Sequence, residues 1–97
     1  MLRVIFRPAA EADLQDAYDW YERRQPRLGV DFIREVDRCI GNIMSQPMMY
    51  PIVHGRVRQA PAKRFPYCVM YVDAQDEIVV LAVFPAARDP KIWQRRL

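Results

Sequence analysis

Hydrophobic periodicity changes near the middle of this chain, and that change limits the fold more than any other feature. From residue 8 to residue 46 apolar side chains recur at three- and four-residue steps. From Pro51 onward they alternate, as in strands. Ala10, Leu14, Ala17, Tyr18 and Tyr21 fall on one helical face, with Trp20 at its margin. Pro8 suits the first turn of that helix, and Glu11 and Asp13 follow where the helix dipole favours acids. The spacing predicts a helix over Pro8–Arg24. Gln25-Pro26-Arg27-Leu28-Gly29 interrupts it, and Phe32, Ile33, Val36, Ile40, Ile43 and Met44 define a second helix that ends before Pro47. The two helices should form a hairpin.

Leu2–Phe6 is short and apolar and reads as a first strand. Val53–Ala60 reads as a weak strand with His54, Arg56 and Arg58 on one side. Phe65–Val72 is a stronger strand with Phe65, Tyr67, Val69 and Tyr71 sharing a face, and Pro66 belongs at its start or on an edge. Asp73-Ala74-Gln75-Asp76 is a hairpin turn. Ile78–Phe84 is apolar on both faces, as expected of a central strand. Asp89-Pro90 resembles a helix start, and a short terminal helix would be anchored by Trp93. The expected class is α+β, in the order β-α-α-β-β-β: a helical hairpin packed on a small antiparallel sheet, with a short C-terminal helix. At 97 residues the chain is one domain, spanning 1–97, large enough to bury a core without disulfide or metal.

Charge divides the chain in two. Residues 1–50 carry 7 basic and 8 acidic side chains, and residues 51–97 carry 8 basic and 4 acidic. The second half is therefore the expected place to meet phosphate or an acidic partner. The basic residues are 13 Arg and 2 Lys, and arginine's planar fork suits both ligands. Cys39 and Cys68 lack metal or redox spacing and sit among apolar neighbours, which fits a reduced cytoplasmic protein with buried thiols. The N-terminus has no signal-peptide core, and Ile78–Phe84, the longest apolar run, is far short of a membrane span.

Several chemistries lack their residues. There is no threonine and one serine, Ser45, so a serine hydrolase site is not supported. His54 is the single histidine, so no histidine-rich metal site exists, and the three glycines form no phosphate-cradling loop. No cofactor is expected. His54 reads as an ordinary surface histidine. Arg56, Arg58, Lys63, Arg64, Arg88, Lys91, Arg95 and Arg96 remain, a basic set able to neutralise phosphate or to meet an acidic protein, and otherwise a solvated rim.

Over nearly its whole length the chain resembles the RelE/ParE toxin family. The resemblance is carried by Pro8-Ala9-x-x-x-Asp13-Leu14 with Tyr18 and Tyr21, and by Leu28-Gly29-x-x-Phe32 and Ile43-x-x-x-Pro47. Further on it rests on Tyr50-Pro51, Val57-Arg58, Arg64-Phe65-Pro66-Tyr67-Cys68-Val69-Met70-Tyr71, and Val83-Phe84-x-x-x-Arg88-Asp89-Pro90-x-x-Trp93-x-x-Arg96. It implies a toxin held inactive in a hetero-oligomer with a cognate antitoxin, without cofactor and without a membrane. Two targets divide the family: RelE-like members cut mRNA on the ribosome, and ParE-like members act on DNA gyrase. Cys68 stands where RelE-like nucleases usually carry arginine, and residues 91–97 hold neither Tyr nor His, which places the chain on the ParE-like side. Pro85 stands where many ParE-like relatives have histidine. Target binding is expected at Arg56, Arg58, Arg64 and Arg88 of the basic set and at Trp93. Trp20, Tyr21 and Phe32 are the aromatics that could anchor the antitoxin, although helical spacing assigns most of them to the core and leaves Trp20 as the best interface candidate. In the nuclease alternative, Arg58, Lys63 and Arg88 are the candidate catalytic cations. A non-toxic relative that only binds its antitoxin is the third reading.

Overall fold

A computed structural model describes residues 2–97. The elements are β1 (Arg3–Phe6), α1 (Pro8–Arg24), α2 (Leu28–Ser45), β2 (Ile52–His54), β3 (Val57–Ala62), β4 (Tyr67–Ala74), β5 (Glu77–Pro85) and α3 (Lys91–Gln94). Both long helices lie where the periodicity places them. They pack as a hairpin on one face of a five-stranded sheet of order β1-β5-β4-β3-β2.

The α+β architecture is as expected, with two departures in the sheet. Strands β2 to β5 form the antiparallel meander, but β1 pairs with β5 in parallel, from Arg3↔Glu77 to Phe6↔Val80. That pairing joins residues more than seventy positions apart, and strand composition does not encode direction. The weak strand at Val53–Ala60 is in fact two short strands, β2 and β3, because Gly55 takes a left-handed conformation (φ 56°) and reverses the chain. Arg56 therefore sits in a turn, and Phe65 precedes β4 after Arg64, itself left-handed at φ 73°.

Two apolar layers result. Beneath the helices, Phe32, Val36, Ile40 and Ile43 of α2 and Ala10 and Ala17 of α1 meet Ala60, Val69, Tyr71, Ile78, Val80 and Val83. Tyr21, Phe32, Phe65 and Tyr67 stack there with ring centroids 4.9 to 6.1 Å apart. On the opposite face Val57, Cys68, Met70, Leu81, Ala82 and Phe84 are covered by Trp93 of α3. A bulge between Met70 and Tyr71 leaves Leu81 opposite no partner, so Val80 and Val83, three residues apart, face the same layer.

Local devices set the hairpin angle. Arg27 takes φ 72° before α2, and the Glu22 carboxylate accepts the backbone N–H groups of Arg27 (3.2 Å), Gly29 (2.8 Å) and Val30 (3.4 Å). It thereby caps the exposed donors of the α2 N-terminus from the preceding helix. Gly29 is required by space: a Cβ there would lie 2.6 Å from the Tyr18 carbonyl oxygen and 2.6 Å from Glu22 Cγ. Both cysteines are buried and unpaired, as expected, and burial pushes the Cys39 thiol up to about 11, so it stays protonated near neutrality. No helix among the described residues is long and apolar enough to cross a membrane.

Candidate functional site

β1 ends opposite Val80, whereas β5 continues to Pro85. Beyond Val80 the β1-side edge of β5 has no neighbouring strand, and its backbone groups need other partners. The Asp13 carboxylate of α1 accepts the Val83 N–H at 3.0 Å, and Arg96 donates to the Leu81 carbonyl at 3.2 Å. Arg96 also grips Asp13 with both guanidinium nitrogens, at 2.7 and 2.9 Å. This fork-to-fork pair ties the last residues to α1 and seals the bulged end of β5. Hydrogen bonding to Asp13 raises the already high pKa of Arg96. Asp13 and Arg96 were conspicuous in the motif pattern, but sequence spacing offered no reason to pair them across 83 positions.

Beside this seal runs a groove of about 500 Å³ between α1 and the ends of β4 and β5, lined among others by Asp16, Trp20, Tyr21, Tyr67, Phe84 and Arg88. It brings together three residues that the sequence reading assigned to two separate surfaces. Trp20 is 44% exposed and stacks under the Arg24 guanidinium at 4.0 Å. Tyr21 meets Trp20 edge-on at 5.0 Å while its ring reaches into the aromatic core. Arg88 is exposed and lies 5.5 Å from the Phe84 ring. Burial pushes the Tyr67 phenol above its usual value, and Arg88 partly offsets that rise.

The remaining candidates do not converge on this groove. Arg58 donates to the carbonyls of Tyr50 (2.7 Å) and Met48 (3.2 Å), so it braces the connection between α2 and β2 and is not a free phosphate contact. The Tyr71 hydroxyl, donating to the Pro47 carbonyl, braces the same connection. Arg56 is exposed in the β2–β3 turn, at the opposite end of β3 from Lys63 and Arg64. Lys63 lines a different cleft, between α2 and β3, and Arg64 reaches Glu35 at 3.7 Å. Trp93 is 2% exposed and Phe32 is fully buried. These two corrections share a cause. A large aromatic at the centre of an apolar layer gains more from burial than from exposure, and both layers are built around these rings. His54 is exposed and meets Trp93 edge-on at 6.1 Å, in keeping with a surface histidine. Among the described residues no group of His, Cys, Asp and Glu could hold a metal ion.

Sequence reasoning missed Glu35. It is a carboxylate only 4% exposed, held by Arg38 at 3.0 Å and by Arg64. The α2 pattern put Glu35 between Phe32 and Val36, next to the buried stripe, but nothing local announced that a distant arginine would neutralise it.

Comparison with known proteins agrees with this architecture. A solved structure described as the chromosomal ParDE TA system from P. aeruginosa superimposes with a TM-score of 0.77 at 19% identity, covering 88% of this chain and 96% of that one. At that identity the likeness speaks to the fold. No curated protein sequence matches at a significant level. The sequence profile of the ParE toxin of the type II toxin-antitoxin system, parDE, matches residues 4–90, an interval that includes Asp13 and the Arg88 groove. The chain therefore belongs to the ParE toxin family of type II toxin–antitoxin systems.

Proposed function

We propose that this chain arrests growth by binding DNA gyrase, and that a cognate antitoxin neutralises it by covering the Trp20 groove. The observation that carries the target is the scatter of the cations. A metal-free nuclease needs charge stabiliser, acid and base around one phosphate. Here Arg58 is engaged by backbone carbonyls, Lys63 lines one cleft and Arg88 another, and the strand position of a nuclease arginine is the buried Cys68. A binding toxin requires no such convergence. Exposed Arg88, with Arg56 and Arg64 at other points of the rim, then supplies contacts rather than chemistry.

The nuclease alternative rests on Arg88 lying beside Tyr67 in one groove. A phenol raised by burial is a weak base at neutral pH, which counts against it. For the antitoxin, a half-exposed tryptophan on a cation-stacked platform, next to a tyrosine, has the composition of an interface anchor.

One preparation of the purified chain decides between the targets. Gyrase supercoiling should be inhibited, while ribosome-bound mRNA stays intact. Unchanged supercoiling at high excess removes the gyrase reading, and new mRNA 5′ ends replace it with the nuclease. Growth that continues when the chain is produced alone leaves only the antitoxin-binding relative.

A further inference from the structure

The cleft between the second half of α2 and β3 lies away from the Arg88 groove, beneath the other helix of the hairpin, and encloses about 550 Å³. Its polar corner is unusual. Glu35, buried at the base, holds the guanidiniums of Arg38 and Arg64, whose side chains remain 68% and 62% exposed. Lys63 lines the same cleft. Arg38 is hydrogen-bonded to Glu35 and lines the cleft with Lys63, while Arg64 reaches the same carboxylate at 3.7 Å, so the corner carries surplus positive charge with one donor held in place.

The rest of the cleft is different. Cys39, Met49, Tyr50 and Pro61 supply apolar surface, interspersed with the uncharged polar side chains of Asn42, Ser45 and Gln46. Thioethers adapt to varied apolar partners. A nucleic-acid backbone presents evenly spaced phosphates and calls for a track of cations. This surface has one cationic corner and then an uncharged wall of apolar side chains with amide and hydroxyl groups between them, which matches a polypeptide with acidic residues next to aliphatic ones and backbone groups to hydrogen-bond.

We infer that the α2–β3 cleft receives an acidic, aliphatic segment of the neutralising partner, with its carboxylates on Arg38, Lys63 and Arg64 and its apolar side chains on Met49 and Tyr50. The inference rests on the antitoxin reading and adds to it a second attachment, across the helical hairpin from Trp20.

The test titrates a blocked peptide of alternating glutamate and leucine into the isotope-labelled full chain. Amide shifts are expected at Arg38, Asn42, Lys63 and Arg64, with binding that weakens as salt rises. Replacing every glutamate of the peptide by glutamine, or introducing Lys63→Glu into the chain, should each lower affinity about tenfold or more. Lys63→Glu leaves both partners of Glu35 in place, so the fold is kept. Absent binding, shifts confined to other surfaces, an unchanged affinity in Lys63→Glu, or a single-stranded RNA that binds these residues more tightly than the peptide would each overturn the inference. A growth-arresting chain rescued by a neighbouring protein that leaves Lys63 unprotected from exchange also overturns it, while the toxin reading stands. A chain harmless to growth and to gyrase that still binds the peptide at Lys63 refutes the toxin reading and supports the cleft.

Discussion

The two faces of the sheet are both apolar, yet they are closed in different ways. The face under α1 and α2 is covered by long helices, and its aromatic cluster draws on α1, α2, β4 and the turn before β4. The opposite face is closed by one turn of helix, with Trp93 as its buried side chain and Arg96 on Asp13 as its latch. The first spreads its burial over many side chains packed as one layer, where a missing ring leaves a cavity. The second concentrates its closure in two residues, and it lies next to the groove that carries Arg88. The difference teaches that stability and the shaping of the site are lodged in different halves of the molecule.

The largest effect should come from the helix-covered face. Phe32→Ala should cost about 3–5 kcal/mol in urea unfolding, because a fully buried ring leaves a cavity that two helices and a sheet cannot close. Trp93→Ala should cost about 3 kcal/mol or less, since a detached one-turn helix regains its chain entropy. Equal losses would remove the contrast. Retention of α1–α2 protection in hydrogen exchange, with protection lost only near Phe84, would sharpen it.

Next come the latch residues. Asp13→Ala strands both Arg96 and the Val83 N–H, and should cost about 2–3 kcal/mol, more than Arg96→Ala. A double-mutant cycle on urea midpoints should return a coupling of about 1 kcal/mol or more. Additive losses would mean that the pair is not a latch. Gly29→Ala tests the helical side without touching the core, and should cost about 1–3 kcal/mol because the new methyl meets the Tyr18 carbonyl.

The smallest effect is a response to alkali. Burial raises Cys39 from 9.0 to about 11 and Tyr71 from 10.0 to about 12, and both belong to the helix-covered face. The folded values lie above the unfolded ones. Their contribution is therefore complete below the unfolded pKa and is lost as pH rises through the folded values. The urea midpoint should fall from about pH 9 upward, and Cys39→Ala should flatten the first part of that fall. A midpoint constant across this range would show that neither group is protonated against solvent in the fold.

Much of the fold was legible because it rests on local periodicity. Pro8–Arg24 could be read from Pro8 and the spacing of Ala10, Leu14 and Ala17, and a run apolar on both faces marked β5 as a strand flanked on both sides, although the middle of the sheet is β4. The candidate site was legible only in part. Trp20, Tyr21 and Arg88 line one groove, a juxtaposition that helix and strand spacing does not reveal. Arg58 looked like a free cation because its acceptors are backbone carbonyls, which no side-chain pattern reveals.

What the chain's own order of residues determined is the set of elements and their buried stripes, since helix and strand periods are properties of neighbouring positions. What the tertiary structure alone decided is which distant groups satisfy one another: β1 parallel to β5, Asp13 on Arg96, Glu35 between Arg38 and Arg64. Those choices follow from the demand that buried charges and unpaired backbone groups find partners once the layers have closed, and that demand arises only after the chain has folded.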